Sequence, residues 1–361
     1  MTARRDVIVA GAGPAGLALA IELLREPALS VVIVDSLRPR RTRLGETLSP
    51  DAGPILAHLG VDAFSAGEHA RCQGTIAFWG SDEAHYNDFL FHPSGHGWRL
   101  DRERFDAALA EEARRRGVAW IEGQAGSVSR QGDDWQATIG DTTVSARVIV
   151  DASGRQALIA QRLGAKRVIA DALVGIAGVF DGTSAMLEER WALIEACRDG
   201  WCYSAVLPDG RVAFVAMTDS DLAHAARLHD ARMWREWIEE LPRTRERISG
   251  ATLIEGPSVA SSASHRLDHL TGDGWLAAGD AATAFDPLSS QGISKALRAG
   301  IRAANAIREW LNGDTLSLES YGGAVAAEYA AYLAARNRYY MMERRWSEAP
   351  FWQRRSEFHT R

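Results

Sequence analysis

The 361-residue sequence has few cysteines, few lysines and no long apolar run. Its three cysteines, Cys72, Cys197 and Cys202, have neither the spacing of a metal site nor the pairing of a disulfide framework, so we expect no bound metal and a reducing cytoplasm. No apolar run approaches the ~18 residues of a membrane-spanning helix, and the first predicted strand begins too early to leave room for a secretory signal. A net charge of −6 argues against nucleic acid as a partner.

Arginine carries nearly all of the positive charge, because only Lys166 and Lys295 are lysines. Tryptophan, in contrast, is abundant, with twelve residues. Scattered core packing is the simplest interpretation of these tryptophans, and an aromatic-lined pocket is the functional alternative.

The N-terminal stretch predicts a nucleotide-binding βαβ unit. The β-branched run Val7 to Val9 predicts a buried strand, and a second run, Val31 to Val34, ends at an acid. Glycines between them have the G-x-G-x-x-G spacing, which permits a tight turn, close approach of a pyrophosphate and close packing of the next helix. The acid suits the ribose hydroxyls of an adenosine. The predicted contacts are Gly11, Gly13, Pro14, Ala15, Gly16, Asp35 and Ser36, with Arg43 in the basic connection that follows.

Two later strands end in small polar turns of a similar kind. Val148 to Val150 runs into Asp151-Ala152-Ser153-Gly154, and Trp275 to Ala278 runs into Gly279-Asp280. The second carboxylate suits a ribityl hydroxyl. A helix predicted to begin near Gln291-Gly292 would direct free N–H groups and a positive dipole end at an anionic reduced flavin. This second motif therefore favours FAD over NAD as the bound cofactor.

The order of these elements predicts an α/β fold. A Rossmann-like FAD-binding domain contains an inserted substrate domain with a mostly antiparallel sheet, and a helical tail follows. Parts of the first segment could belong to the substrate domain. The predicted ranges are 1–170 with 258–312 for the FAD-binding domain, 171–257 for the substrate domain and 313–361 for the C-terminal helix and tail.

Local patterns give further expectations. Ser49 or Asp51 is a candidate cap for a short helix. A loop is predicted from Asn87 to Gly97, and a helical stretch extends from Leu222 to Ile238. The tail from Arg344 to Arg355 mixes arginine with aromatic residues and is interpreted as packed against the protein, with a partner contact as the alternative.

Over most of its length the chain resembles the FAD-dependent monooxygenases of the para-hydroxybenzoate hydroxylase superfamily. The resemblance rests on the three strand-end motifs described above. It implies one tightly bound FAD beneath a substrate sheet, transient reduction by NAD(P)H without a second nucleotide domain, and oxygen transfer from O2 to an electron-rich ring. It also implies positions near the flavin for Arg102, Asp280, Pro287, Gly292 and Ile293.

Flavin-dependent halogenases are one narrower relative. The segment Phe285–Gly292 matches their F-x-P-x-x-S-x-G pattern, and Gly45–Pro50 matches G-E-x-x-x-P. These enzymes need a lysine on the strand after the second segment to carry hypohalous acid, and the strand from Gly74 to Trp79 has none. Their chemistry is therefore disfavoured here.

The closer resemblance is to the LodB, GoxB and QhpG group, which oxygenates a tryptophan inside a partner protein during quinone-cofactor maturation. It is carried by Gly97–Arg102, Trp201–Pro208, Ala278–Ile293 and Pro350–Trp352. The implied partner is the precursor of a quinone-cofactor amine or amino-acid oxidase or dehydrogenase. A hydroxylase of small aromatic molecules, a flavoprotein scaffold and a halogenase remain alternatives. No catalytic residue is assigned; His96, His265 and Glu46 are candidates by residue type alone.

Overall fold

The computed structural model describes residues 3–36, 45–64, 67–181 and 190–356. Two large sheets organise these residues, and the buried β-branched strands of the N-terminal motif lie at the centre of the first. The strands of the first sheet are β1 (Ala3–Ala10), β2 (Val31–Asp35), β8 (Ala119–Glu122), β9 (Val128–Gln131), β10 (Asp134–Ile139), β11 (Thr142–Asp151), β19 (Thr271–Gly272) and β20 (Trp275–Ala277).

The core of this first sheet is parallel, in the order β20-β11-β1-β2-β8. Parallel order places the carboxyl ends of β1, β2, β11 and β20 at one edge, so the polar turns that follow them lie side by side. A turn at Gly132 joins the antiparallel pair β9 and β10.

The second sheet, which we call the substrate sheet, has the order β17-β13-β16-β15-β14-β5-β6. It is antiparallel except where β14 lies parallel to β5. Two of its strands come from the N-terminal part of the chain. Its members are β5 (Gly74–Phe78), β6 (His85–Asp88), β13 (Leu173–Asp181), β14 (Trp191–Cys197), β15 (Gly200–Val206), β16 (Val212–Asp219) and β17 (Thr252–Ser261).

Two three-stranded sheets and ten α-helices complete the described part of the chain. The small sheets are β3 (Thr47–Leu48), β7 (Gly97–Arg99) and β4 (Ala70–Cys72), and β12 (Arg167–Ile169), β18 (His265–Leu267) and β21 (Thr283–Ala284). The helices are α1 (Pro14–Leu23), α2 (Ala52–Leu59), α3 (Arg102–Arg115), α4 (Leu158–Arg162), α5 (Ser220–Ala225), α6 (Ala231–Glu239), α7 (Pro242–Arg247), α8 (Gly292–Leu311), α9 (Ser317–Met342) and α10 (Pro350–Ser356).

Helix α8 packs closely on α1, and a glycine permits the contact. A Cβ on Gly300 would lie 2.4 Å from the carbonyl oxygen of Ala15, which is far inside van der Waals contact. This approach joins the C-terminal part of the chain to the helix of the first motif, so both nucleotide-type motifs belong to one site.

Two expectations for the substrate sheet need correction. Strand β14 was not predicted, although it lies within the sheet between β15 and β5. The helical stretch from Leu222 to Ile238 is two helices, because Arg227 takes a left-handed conformation with φ of 53°. The Asp230 side chain then accepts from the N–H groups of Arg232 and Met233 and begins α6 afresh.

Two expectations nearer the N-terminus also differ. The predicted loop from Asn87 to Gly97 contains the end of β6, a 3-10 turn at Phe89–Phe91 and the first residue of β7. Neither Ser49 nor Asp51 caps α2 through its side chain; Asp51 instead accepts from Arg298 Nη1 at 2.5 Å. The cap prediction was wrong because a distant arginine competes for the same carboxylate.

The C-terminal tail packs against the substrate sheet, as predicted. The Trp352 indole donates to the carbonyl of Cys197 at 2.9 Å, and Arg355 makes a two-point ion pair with buried Asp219. The aromatic cluster around Trp79 and Trp201 joins this tail to α9, which supports core packing as the role of these tryptophans. Among the described helices, we find none that is long and apolar enough to cross a membrane.

Candidate functional site

A cleft of about 1060 Å³ lies at the carboxyl edge of the parallel sheet. It extends from the end of β2 to the turn after β20, so it brings Asp35 and Asp280 into one space. Ligands in open α/β folds bind at this position outside the strand ends. The lining residues are Ala10, Gly11, Val34, Asp35, Ser36, Glu122, Gly123, Gln124, Ala125, Ser153, Gly154, Arg155, Gln156, Leu158, Ile159 and Asp280.

Two of the three glycines in the first turn are required by the tight turn and the close helix packing that the spacing predicts, and the phosphate contact stays a prediction. Gly11 has φ of 118°, and a Cβ there would lie 2.2 Å from the carbonyl oxygen of Ala152. A Cβ on Gly16 would lie 2.1 Å from the carbonyl oxygen of Gly11, so both positions exclude side chains. Gly13 differs, because a Cβ there would meet no protein atom within 4 Å. Its open side is where a phosphate could approach the backbone.

Helix α1 begins directly after this turn. Gly13 is its N-cap residue and makes no side-chain cap, while Pro14 occupies the first turn and Ala15 follows it. The early N–H groups and the positive end of the helix dipole are therefore free for an anion.

Asp35 holds the glycine turn and also lines the cleft, and its contact with a ribose stays a prediction. Its Oδ2 accepts from the N–H of Ala12 at 2.7 Å, and its neighbour Ser36 also lines the cleft. The tertiary fold thus brings the end of β2 against the turn after β1. Arg43, the other predicted contact in this region, lies outside the described residues.

Asp151 is not a lining residue of the cleft. Its side chain is fully buried, and Oδ1 accepts from both the N–H and the hydroxyl of Ser153. Oδ2 accepts from the N–H groups of Ile159 and Ala160 in α4. Asp151 therefore positions the turn and leaves Gly154, with φ of 72°, to border the cleft.

Asp280 lies between the cleft and two cations. Lys295 Nζ donates to Asp280 Oδ1 at 2.9 Å, and Arg155 Nε lies 3.8 Å from Oδ2. Burial favours the neutral acid, but Lys295 and Arg155 together lower the pKa of Asp280 below its ordinary value. The result is a carboxylate, about 35% exposed, that is ionised at neutral pH and faces the cleft.

The turn before Asp280 also requires glycine. Gly279 has φ of 64°, and a Cβ there would lie 2.6 Å from the Cβ of Ala15. The second motif thus contacts the helix of the first motif directly.

Helix α8 begins at Gly292, as predicted, and Ile293 follows it. Its N-cap residue Gln291 makes no side-chain cap, so the first N–H groups of this 20-residue helix have no side-chain acceptor at the cap. Pro287 lies in a 3-10 turn just before the helix. We call the segment from Pro287 to Ile293 the wall; its position beside a flavin ring stays a prediction.

This wall is held from behind by Asp286, which is 1% exposed. Its carboxylate accepts from the Tyr340 hydroxyl at 2.7 Å and from the Leu288 N–H at 2.9 Å. Phe285 stacks on Tyr332 with ring centroids 3.8 Å apart. Burial raises the pKa of Asp286 despite the nearby guanidinium of Arg336. Helix α9 therefore anchors the wall.

A second group of polar residues links the loop at Gly45 to the substrate sheet. Arg102 Nη1 donates to the Gly45 carbonyl at 3.3 Å, and the hydroxyls of Thr47 and Tyr203 hydrogen-bond at 2.5 Å. Burial raises the pKa of Tyr203 to about 12, so it stays protonated. Glu46 is 5% exposed, and burial raises its pKa although Arg102 and Arg99 oppose the shift.

Several site residues were not predicted. Arg155 donates to the carbonyls of Ala263 and Phe285, and it follows the predicted Gly154 directly. The sequence gives no signal for Lys295 beyond its being one of two lysines. Gln124 and Gln156 line the cleft without a sequence signal, because their positions depend on how loops meet.

The residues present fit an extended dinucleotide. Near one end of the cleft are Asp35, the open side of Gly13 and the free N-terminus of α1. At the other end are Asp280 and the free N-terminus of α8. These groups match the chemistry of FAD. Within the described residues, no group of three or more His, Cys, Asp or Glu side chains could hold a metal ion.

Comparisons with known proteins agree with this geometry. The FAD binding domain family matches residues 4–328. The FAD-dependent oxidoreductase LodB of Marinomonas mediterranea is 31% identical over 362 residues, which cover 98% of this chain and 97% of LodB. The chain therefore belongs to the FAD binding domain family and is an FAD-dependent oxidoreductase.

Two solved structures indicate the range of relatives. The peptidyl tryptophan dihydroxylase QhpG, essential for tryptophylquinone cofactor biogenesis, is 26% identical with a TM-score of 0.74, covering 98% of this chain and 79% of QhpG. The myxobacterial chondrochloren halogenase CndH has a TM-score of 0.89 at 23% identity, covering 99% of this chain and 87% of CndH. At that identity the second similarity shows the fold alone. The predicted superfamily, the α/β fold and FAD are confirmed.

Proposed function

We propose that this protein is a monooxygenase that uses NAD(P)H and O2 to hydroxylate a tryptophan in a partner polypeptide, the precursor of a quinone-cofactor oxidase or dehydrogenase. The observation that carries the proposal is the 26% identity with QhpG over 98% of the chain. The LodB relationship, which spans both chains almost completely, is consistent with it. A cytoplasmic location remains a prediction from the few cysteines.

The proposed reaction is balanced by one reductant and one O2. An aromatic C–H, O2, NAD(P)H and a proton give the C–OH product, NAD(P)+ and water. FAD supplies the redox and oxygen-transfer chemistry when bound. The contributions of the chain are to hold the ribityl end at Asp280, to present the N-terminus of α8 to negative charge, and to fix the wall through Asp286 and Tyr340.

Halogenation is the second candidate, favoured by the halogenase-like segment Phe285–Gly292. The placement of the two lysines argues against it. Lys295 Nζ is committed to Asp280 and the Thr283 carbonyl, and Lys166 lies between α4 and β12. Neither residue is on a strand of the substrate sheet, where the resemblance to halogenases requires a lysine.

The direct test is to incubate the FAD-loaded protein with NAD(P)H, O2 and the unmodified product of a neighbouring quinoprotein gene. We expect a mass increase of the polypeptide by whole oxygen atoms, derived from labelled O2 and localised to tryptophan by fragmentation. Reactions without O2 or without NAD(P)H are the controls. A parallel reaction contains bromide and a panel of free indoles.

Each outcome has a separate meaning. Efficient hydroxylation of a free indole with no change in the polypeptide would replace the proposal by a small-molecule hydroxylase. An enzyme-dependent brominated product would establish halogenation. A polypeptide that gains oxygen at a residue other than tryptophan would refute the proposed substrate.

A further inference from the structure

A second cavity, of about 430 Å³, lies beside the substrate sheet, and three arginines line it. Arg71 lies on β4, Arg99 on β7, and Arg190 immediately before β14. We call this space the arginine cavity. Its remaining lining residues are the uncharged Ala70, Val206, Leu207 and Pro208.

Arg99 shows that this cavity is built for an acceptor. Its side chain is almost completely buried, with the residue 1% exposed. Nη1 donates to the hydroxyls of Thr47 and Tyr203, whereas Nε and Nη2 have no hydrogen-bond partner within the described residues. A buried charged donor without an acceptor is costly, so an anionic group that satisfies it gains more than it would at an ordinary surface.

The charge of the cavity is of one sign. Arginine stays protonated at every physiological pH, and no carboxylate is among the described lining residues. Within the described residues none of the three arginines forms an ion pair, and the nearest recorded carboxyl influence is buried Glu46, whose raised pKa Arg99 opposes without a hydrogen bond to it. A planar carboxylate suits such a site, because it can accept two parallel N–H bonds from one guanidinium.

An exposed apolar surface lies at the β6 edge of the substrate sheet. It consists of Tyr86 on the edge strand β6 and of Leu90 and Phe91 in the 3-10 turn that follows, and we call it the apolar ledge. Their exposures of 64%, 76% and 86% are unusual for large apolar side chains. An edge strand with an apolar surface is a typical place for another polypeptide to bind.

The ledge and the cavity are joined through one residue. The Gln73 N–H donates to the Arg190 carbonyl at 3.0 Å, and the Gln73 carbonyl accepts from the Phe89 N–H at 2.8 Å. Gln73 is also two residues from Arg71. Backbone hydrogen bonds of Gln73 therefore link the segment that carries Arg190 to the segment that carries Leu90 and Phe91.

We propose that the arginine cavity binds an acidic side chain of the polypeptide substrate while the apolar ledge packs against apolar residues beside it. This inference rests on the proposed function, because it takes the occupant to be the substrate polypeptide. The net charge of −6 would repel an acidic partner over most of the surface. The cluster of arginines would therefore also favour the orientation in which the acidic side chain of the partner faces the cavity.

Binding of synthetic peptides to the oxidised, FAD-loaded protein tests the inference without turnover. One fluorescein-labelled peptide has a central tryptophan flanked by glutamate and leucine, and its twin has glutamine in place of glutamate. Anisotropy should give about tenfold tighter binding of the glutamate peptide at low salt. The difference should shrink as ionic strength rises.

The variant for this test is Arg71→Gln with Arg190→Gln. Both side chains are exposed, so the fold should persist, and Arg338→Gln on exposed α9 surface is the matched control. The double variant should bind the two peptides equally, while the control should keep the preference of the wild type. Leu90→Ser with Phe91→Ser should weaken both peptides by the same factor.

The inference is overturned if the wild type binds the twins equally or binds neither, or if the double variant keeps the preference. It is also overturned if the double variant raises the NADPH concentration needed for flavin reduction and leaves peptide binding unchanged, since the cavity would then bind a nucleotide phosphate. If binding depends on the glutamate but the tryptophan of the bound peptide gains no oxygen, the proposed function is refuted and the docking inference stands. Equal binding and equal oxygenation of the twins would refute the docking inference alone.

Discussion

Lys295 Nζ donates to Asp280 Oδ1 at 2.9 Å, from a helix position where the lysine is only 2% exposed. Fifteen residues separate the two along the chain. The same ammonium donates to the Thr283 carbonyl and lies 4.4 Å from the centre of the Phe285 ring. One buried cation on α8 thus joins the turn at Asp280 to the segment Thr283–Phe285 that leads into the wall.

Replacing this lysine should loosen the cofactor. Lys295→Met keeps most of the side-chain volume but removes the nearest cation of Asp280, so the carboxylate becomes harder to keep ionised. We expect faster FAD release and a loss of about 1–3 kcal/mol in unfolding free energy, less than for a fully buried pair because Asp280 is partly exposed. Released-flavin fluorescence and thermal unfolding measure the two effects.

The only other lysine provides the control for that experiment. Lys166→Met changes an exposed residue, so FAD release and stability should match the wild type. Asp280→Asn should also release FAD faster, since it leaves the buried ammonium without its carboxylate. If Lys295→Met and Asp280→Asn both retain FAD like the wild type, the second motif does not hold the ribityl chain.

Substitutions at two glycines of the first turn should affect different properties: the one at Gly16 should affect folding, and the one at Gly13 should affect cofactor binding. A methyl group at Gly16 would overlap the Gly11 carbonyl, whereas one at Gly13 meets no protein atom within 4 Å. Gly16→Ala should therefore destabilise the apoprotein by about 1–3 kcal/mol, the size typical of overpacked sites. Gly13→Ala should change apoprotein stability by less than about 1 kcal/mol.

The matching measurement is an FAD titration of the refolded apoproteins. Gly13→Ala should weaken FAD binding at least tenfold, because its methyl group would occupy the space through which the pyrophosphate approaches the backbone. Tight binding by a stable Gly13→Ala protein would show that the phosphate lies elsewhere.

The start of α8 should tune the flavin potential. Gly292→Pro removes one N–H at the first helical position, where proline is tolerated, and Gly292→Ala is the control that keeps the N–H. Loss of a donor should destabilise the anionic reduced flavin by roughly 0.3–1 kcal/mol and make the midpoint potential more negative. Equal potentials for the two fully loaded variants would contradict a helix directed at the flavin.

His265 should make stability fall in mild acid. Burial, aided by Arg155, lowers its pKa to about 4, from the ordinary value of about 6.5. Between these two pKa values the unfolded chain binds the proton more readily than the folded protein does. The contribution of neutral His265 to the free energy of unfolding is therefore complete above about pH 6.5 and is lost as pH falls toward 4. A pKa shift of this size corresponds to roughly 3–3.5 kcal/mol of stability.

Chemical unfolding of the FAD-loaded protein at several pH values checks this expectation. His265→Asn should flatten the dependence between about pH 4.5 and 6.5. His224→Asn, at an exposed position, should leave it unchanged. A wild-type curve as flat as that of His265→Asn would place His265 in an ordinary environment.

The first glycine turn could be predicted from the sequence because its chemistry is local. A side chain at Gly16 is excluded by the Gly11 carbonyl of the same turn, and Gly11 needs a left-handed φ of 118° to make that turn. The contact of Gly11 with the Ala152 carbonyl, in contrast, depends on the distant β11. The start of α8 at Gly292 could likewise be predicted from the local sequence. The FAD-binding class of the protein followed from such local motifs, although Arg43 lies outside the described residues.

The tertiary structure alone decided which polar groups face the cleft. Asp151 resembles a ligand in the sequence, yet four donors in its own turn and in α4 use its carboxylate. Lys295 and Asp280 meet because α8 packs closely on α1 at Gly300. Arg71, Arg99 and Arg190 line one cavity because the elements that carry them, far apart in the chain, meet there. Such groupings depend on packing between distant segments, for which a local sequence pattern contains no signal.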